Sequence, residues 1–131
     1  MLFDTDILIW VLRGDDRAAR LVDQEEERLL SVISYLELIQ GARDKNESRK
    51  IKNFLSDAGF LITPLSENIG HRASIYIEEY GLKQGMRVAD ALIAATAVEN
   101  QLSLCTANQK HYQAVKELDL KIFQPSYERI L

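Results

Sequence analysis

Three carboxylates in this sequence stand where an α/β protein keeps its reactive groups. Asp4 ends the short apolar strand candidate Met1 to Asp4, and Glu37 lies one turn into the helical stretch after a second strand candidate. Asp90 interrupts Val88-Ala89-Asp90-Ala91-Leu92-Ile93-Ala94-Ala95, the most apolar helix pattern of the chain. A lone carboxylate in such a run is costly unless it is hydrogen-bonded, paired or bound to a cation. No Lys or Arg shares its helix face, and Arg87, three residues earlier, could only just reach it. Three acids converging on one crevice repel one another. A hard divalent cation, Mg2+ or Mn2+, offsets that by accepting one or two carboxylates directly and holding the rest through water. Such an ion activates water and neutralises charge developing on a phosphate, the chemistry of phosphodiester hydrolysis.

Each acid also has a purely structural use. Ser34 and Glu37 form an S-x-x-E capping box, which taken alone is the simpler account of Glu37. Asp4 can accept from N–H groups of the helix that follows it, and Asp90 becomes an N-cap if its helix starts late. Asp6 reads mainly as a cap, with a lesser part in orienting its neighbours. What favours chemistry is coincidence: all three fall just beyond strands, where an open α/β sheet leaves its crevice.

The elements that must position them follow from hydrophobic periodicity. Ile7 to Leu12 reads as a helix closed by Gly14, and Asp16 to Glu26 as a polar helix. Leu29 to Ile33 is a second strand, after which Ser34 opens a helix over Tyr35 to Ala42. Ile51, Phe54, Leu55 and Ala58 mark a helix within 46 to 58, stopped by Gly59. Phe60 to Thr63 is a third strand ended by Pro64, and Glu67 to Tyr80 a long helix, with Gly81 and Gly85 bracketing a loop. Val88 to Glu99 is apolar nearly all round and belongs inside the domain. Leu102 to Thr106, Lys110 to Glu117 and Leu120 to Phe123 complete the pattern as strand, helix and strand. Strands alternating with helices imply a parallel sheet covered on both faces.

With 131 residues, a single domain is expected. One cysteine, Cys105, excludes a disulfide framework and a Cys-based zinc cage, and suits core packing. The run Ile7 to Leu12 is too short to span a bilayer and follows acids rather than basic residues, so neither a membrane span nor a signal peptide is expected. These features describe a soluble domain of a reducing, cytoplasmic compartment. The net charge of −4 argues against non-specific binding of nucleic acid.

Four short stretches carry a family resemblance. Leu2-Phe3-Asp4-Thr5-Asp6-Ile7-Leu8-Ile9 resembles the opening motif of PIN-domain nucleases, and Ser31 to Ala42 is similar to their second, a strand followed by an x-E-L-x-x-G-A helix. Val88 to Ala97 resembles the third and Leu104-Cys105-Thr106-Ala107-Asn108 the fourth, in family order over almost the whole of 1–131. Within that family the sequence looks most like VapC-type toxins of toxin–antitoxin pairs. The resemblance implies an α/β domain with a five-stranded parallel sheet in the order 3-2-1-4-5, acting as a Mg2+- or Mn2+-dependent endoribonuclease. It puts Asp4, Glu37 and Asp90 at the acidic metal positions and Thr106 at a hydroxyl position. Thr5, Asp6, Thr106 and Asn108 would orient that shell or the scissile phosphate. The family's fourth acid corresponds to Asn108, which carries no charge and puts a second metal site in doubt. A homodimer and a small antitoxin that blocks the crevice are implied as partners.

An RNA substrate must be squared with the acidic balance, and −4 becomes −1 once the three acids are set aside. Arg43, Lys45, Arg49, Lys50 and Lys52 face only Asp44 and Glu47 in their stretch, and Lys83, Arg87 and Lys110 adjoin other motifs. Such cations could steer a phosphate backbone, although most charged helix faces are merely solvated. His71 reads as exposed, and His111 more as exposed than as a substrate neighbour. Tyr76 and Tyr80 read as a packing stripe before a base-stacking one, and Glu25-Glu26-Glu27 as a solvated helix end. Two other readings are open. Asp4-Thr5-Asp6 resembles the D-x-D start of haloacid-dehalogenase phosphatases, although Leu8 stands where a hydroxyl residue belongs. A catalytically weak, nucleic-acid-binding protein would also tolerate a neutral residue at 108.

Overall fold

The computed structural model describes residues 1–125; residues 126–131, counted in the single domain expected from the sequence, lie outside the described residues. Its elements in order are β1 (Leu2–Phe3), α1 (Thr5–Leu12), α2 (Asp16–Gln24), β2 (Leu29–Ser31), α3 (Val32–Gln40) and α4 (Lys45–Asp57). They continue with β3 (Leu61–Thr63), α5 (Glu67–Gln84), α6 (Val88–Glu99), β4 (Leu104–Thr106), α7 (Gln109–Tyr112) and β5 (Leu120–Ile122). The strands form one parallel sheet in the order β3-β2-β1-β4-β5, as the resemblance implied. Among the described residues no helix is long and apolar enough to cross a membrane.

Strand alternation divides the core in two. Leu2 and Leu104 face one side with Ile69, Ala73, Tyr76, Ala91, Ala94 and Ala95, so α5 and α6 cover that face. Phe3, Leu30 and Cys105 face the other with Ile7, Leu8, Val22, Leu38, Ile51 and Leu55. β1 has only two residues, both fully buried at the sheet centre, so its next residue, Asp4, emerges at the carboxyl edge between β2 and β4. The small residues of α6 let it pack closely on α5 and fix the depth at which Asp90 enters the crevice.

Several boundaries differ from the sequence expectation. β2 stops at Ser31, whose Oγ accepts from Ile33 N at 3.0 Å, so α3 starts at Val32 and Ser34 lies buried inside it. The capping box of Ser34 with Glu37 therefore does not form, and Glu37 is left available. The long helix does not stop before Gly81 but runs to Gln84, ending where Gly85 adopts φ 68°. Burial of Ala73, Tyr76 and their neighbours against α6 outweighs the ~1 kcal/mol that an internal glycine costs. The helix expected over Lys110 to Glu117 is one turn, Gln109–Tyr112, because the chain turns to bury Val115 and Leu118.

Candidate active site

Asp4 is both cap and site residue. Its Oδ1 accepts from Thr5 N at 2.8 Å, capping α1, and its Oδ2 accepts from Thr106 Oγ1 at 2.8 Å. It is 5 % exposed, and burial pushes its carboxyl above the usual range, opposed by hydrogen bonds from Thr106, Thr5 and Tyr112. The charge of Asp90 adds to the upward push. Asp90 is the third residue of α6, so the late helix start that would make it an N-cap does not occur. Instead its Oδ2 accepts from Arg87 N at 3.2 Å, closing the first turn. Arg87 thus meets Asp90 through its backbone.

Asp6 does not cap α1 but holds the opposite loop. Its Oδ2 accepts from Ala107 N at 2.9 Å and Asn108 Nδ2 at 3.0 Å, and its Oδ1 is buried with no partner among the described residues. The exposed Asn108 therefore works as a donor. A carboxylate at 108 would face Asp6 with like charge, which gives a physical reason for the amide at this position. Thr106, fully buried at the end of β4, donates to Asp4 and accepts from Asn108 N at 3.0 Å.

Glu37 stands at the exposed edge, where its Oε1 accepts from Thr5 Oγ1 at 2.7 Å; the Ser34 hydroxyl is 2.9 Å from the same Thr5 oxygen. Asp4, Asp6 and Asp90 thus share one electrostatic neighbourhood, while Glu37 is coupled to it through Thr5. Among the described residues, no three His, Cys, Asp or Glu side chains close on a common point as a ready metal cage. The donor chemistry nevertheless fits a hard cation. The groups are carboxylate oxygens, neither Asp4, Asp6 nor Asp90 pairs with a described lysine or arginine, and Asp6 Oδ1 lacks a partner.

Two residues gain a place that sequence reasoning missed or underrated. Tyr112, buried on α7, hydrogen-bonds Asp4, and burial among the acids holds its phenol protonated. Nothing in its local sequence marks it as a neighbour of Asp4. His111 is exposed but also places Nδ1 3.6 Å from Asp90 Oδ1. Other residues stay outside: Tyr76 is buried with its hydroxyl on Glu117, and His71 is solvent-exposed. Glu25-Glu26-Glu27 follow α2, which ends at Gln24.

The electrostatics give a testable pH response. Burial and the Asp4 charge raise the Asp6 carboxyl to about 7, against 3.8 in the unfolded chain. In EDTA, the folded protein should take up a proton between these values that the unfolded chain does not, so this contribution to stability rises as pH falls from about 7 to 4. It is complete below 4 and lost above 7. Asp6→Asn should remove this rise and make the protein more stable than wild type at pH 8, read by urea denaturation at pH 5 and 8. An unchanged pH profile would refute the assignment.

A PIN domain model matches residues 1–117. Ribonuclease VapC10 of Mycobacterium tuberculosis (strain ATCC 25618 / H37Rv) is 36% identical over 122 residues, covering 90% of each chain. Among solved structures, a toxin–antitoxin complex from Klebsiella pneumoniae superposes with TM-score 0.76 at 29% identity, covering 89% of this chain and 93% of that one. VapBC-1 from nontypeable Haemophilus influenzae gives TM-score 0.78 at 25% identity, covering 92% and 96%. With its sheet order, its carboxyl-edge acids and a match over most of its length, this chain belongs to the PIN domain family.

Proposed function

We propose that this chain is an endoribonuclease, the toxin of a toxin–antitoxin pair, which hydrolyses RNA phosphodiester bonds with Mg2+ or Mn2+ in the cytoplasm. The observation that carries this reading is Asp4: a buried carboxylate at the carboxyl edge of the central strand, beside Asp90, with no basic side chain among the described residues paired to it. The VapC ribonuclease relative and the toxin–antitoxin structures support the same class, and a small antitoxin and a second copy of the chain are its expected partners.

Asp4 and Asp90 would hold the cation, with Glu37 as a further ligand or as acceptor for a bound water. When bound, the cation supplies Lewis acidity toward water and the scissile phosphate. The chain's own work is positioning. Thr106 fixes the Asp4 carboxylate, Thr5 orients Glu37, and Asp6 holds the backbone that presents the exposed Asn108 to substrate. A phosphatase using Asp4 as nucleophile is disfavoured by Leu8, which leaves no hydroxyl two residues beyond Asp6.

Incubation of purified protein with single-stranded RNA should give internal cuts in Mg2+ or Mn2+, no cuts in EDTA, and recovery on adding excess cation. Cleavage that persists in EDTA would contradict the metal requirement, and intact RNA under every cation would contradict the enzyme.

A further inference from the structure

Among the described residues, His111 is the one imidazole that the fold brings to the acidic crevice. It sits on α7, a single turn tied to the site at both ends. Asn108, just before the turn, donates through Nδ2 to Asp6 at 3.0 Å, and Tyr112, its last residue, hydrogen-bonds Asp4. The backbone N–H of His111 donates to Asn108 O at 3.1 Å, so the same acids that form the site also place this residue. Its Nδ1 comes to 3.6 Å from Asp90 Oδ1, too far for a hydrogen bond. Asp90 Oδ2 accepts from Arg87 N, whereas Oδ1 accepts no hydrogen bond among the described residues. Two Lewis bases from different elements therefore lie side by side with no direct bond between them.

We infer that His111 is a further ligand of the cation held by Asp90, and that its ring nitrogen tunes the site toward Mn2+ over Mg2+. The inference rests on the nuclease reading and deepens it by naming the divalent ion the site prefers. Carboxylate oxygens alone suit either ion. An imidazole nitrogen separates them: Mg2+ keeps oxygen donors and water around it, whereas affinity for nitrogen rises along the divalent transition metals from Mn2+ onward. A ring that only offset the charge of Asp90 would act on both ions in the same sense, so selectivity distinguishes a ligand from a charge partner.

The test reads metal binding directly, without RNA. Untagged protein labelled with 15N in histidine alone is loaded with Mn2+ and measured by pulsed electron paramagnetic resonance. The chain has 2 histidines, so each can be removed in turn. The coupling of a directly bound 15N should appear, persist in His71→Gln and vanish in His111→Gln. By calorimetry, His111→Gln should weaken Mn2+ binding about tenfold and change Mg2+ binding by less than about threefold. Persistence of the coupling in His111→Gln, or equal changes for both ions, would overturn the inference. Mn2+ binding that Asp4→Asn abolishes but that carries no 15N coupling would leave the carboxylate site standing and remove His111 from it. No Mn2+ binding at all would count against the cation reading itself, and the inference would fall with it.

Discussion

Replacing Asp4 by asparagine should lower kcat for RNA cleavage about a thousandfold or more, a loss of ~4 kcal/mol in transition-state stabilisation, while leaving the protein folded. The substitution keeps the shape and one oxygen, so the cap on α1 that Thr5 N completes survives. Removing a charge that burial already disfavours should not weaken the metal-free fold. What disappears is the negative oxygen that a cation needs. A second readout follows by linkage: a ligand at a hundred times its Kd stabilises the folded state by ~2.7 kcal/mol. Mn2+ should therefore raise the Tm of the wild type and leave that of Asp4→Asn nearly unchanged. A folded variant that cuts RNA within tenfold of wild type would sink the catalytic assignment. Asp90→Asn should behave alike, with a small added effect on α6 because Asp90 also accepts from Arg87 N.

Thr106→Val should reduce both stability and activity, through a residue that need not touch substrate. The side chain is fully buried, donates to Asp4 and accepts from Asn108 N. Valine fills the same space and removes both bonds, so about 1–3 kcal/mol of stability should be lost to unsatisfied groups. Supporting bonds of this kind typically govern ~10–100-fold in metal affinity or activity. A merely structural role would predict the stability loss alone. Because the Thr106 bond pulls the Asp4 carboxyl down, its removal lets that group rise further, and cation binding should move to higher pH. Thr106→Ser, which restores the hydroxyl, should recover most of that shift. If the valine variant binds Mn2+ with wild-type affinity and pH dependence, Thr106 does not position Asp4.

Legibility in the sequence differed residue by residue. The strand-helix alternation and the apolar faces are short-range signals, so the sheet, its helices and the position of Asp4 at a strand end could be read directly. Helix ends were harder. Ser34 reads as the helix start, and only the pairing of β2 with β1 and β3 decides that the strand stops at Ser31. Gly81 reads as a stop, yet the packing of α5 on α6 carries the helix through it. Tyr112 was missed because an aromatic beside a short polar turn carries no mark of the acid it will meet.

By itself, the sequence determined the class of fold, the order of the motifs and the identity of the acidic groups, since these depend on residue type and local spacing. The tertiary structure alone decided what each group does. Asp6 and Asn108 are far apart in the chain but bond across the crevice, which turns a missing acid into a donor for an existing one. Glu37 changes from an expected capping residue into the partner of Thr5. The physical reason is that hydrogen bonds and charges act over a few ångströms of space, and distances of that size between remote segments are set by how the core packs.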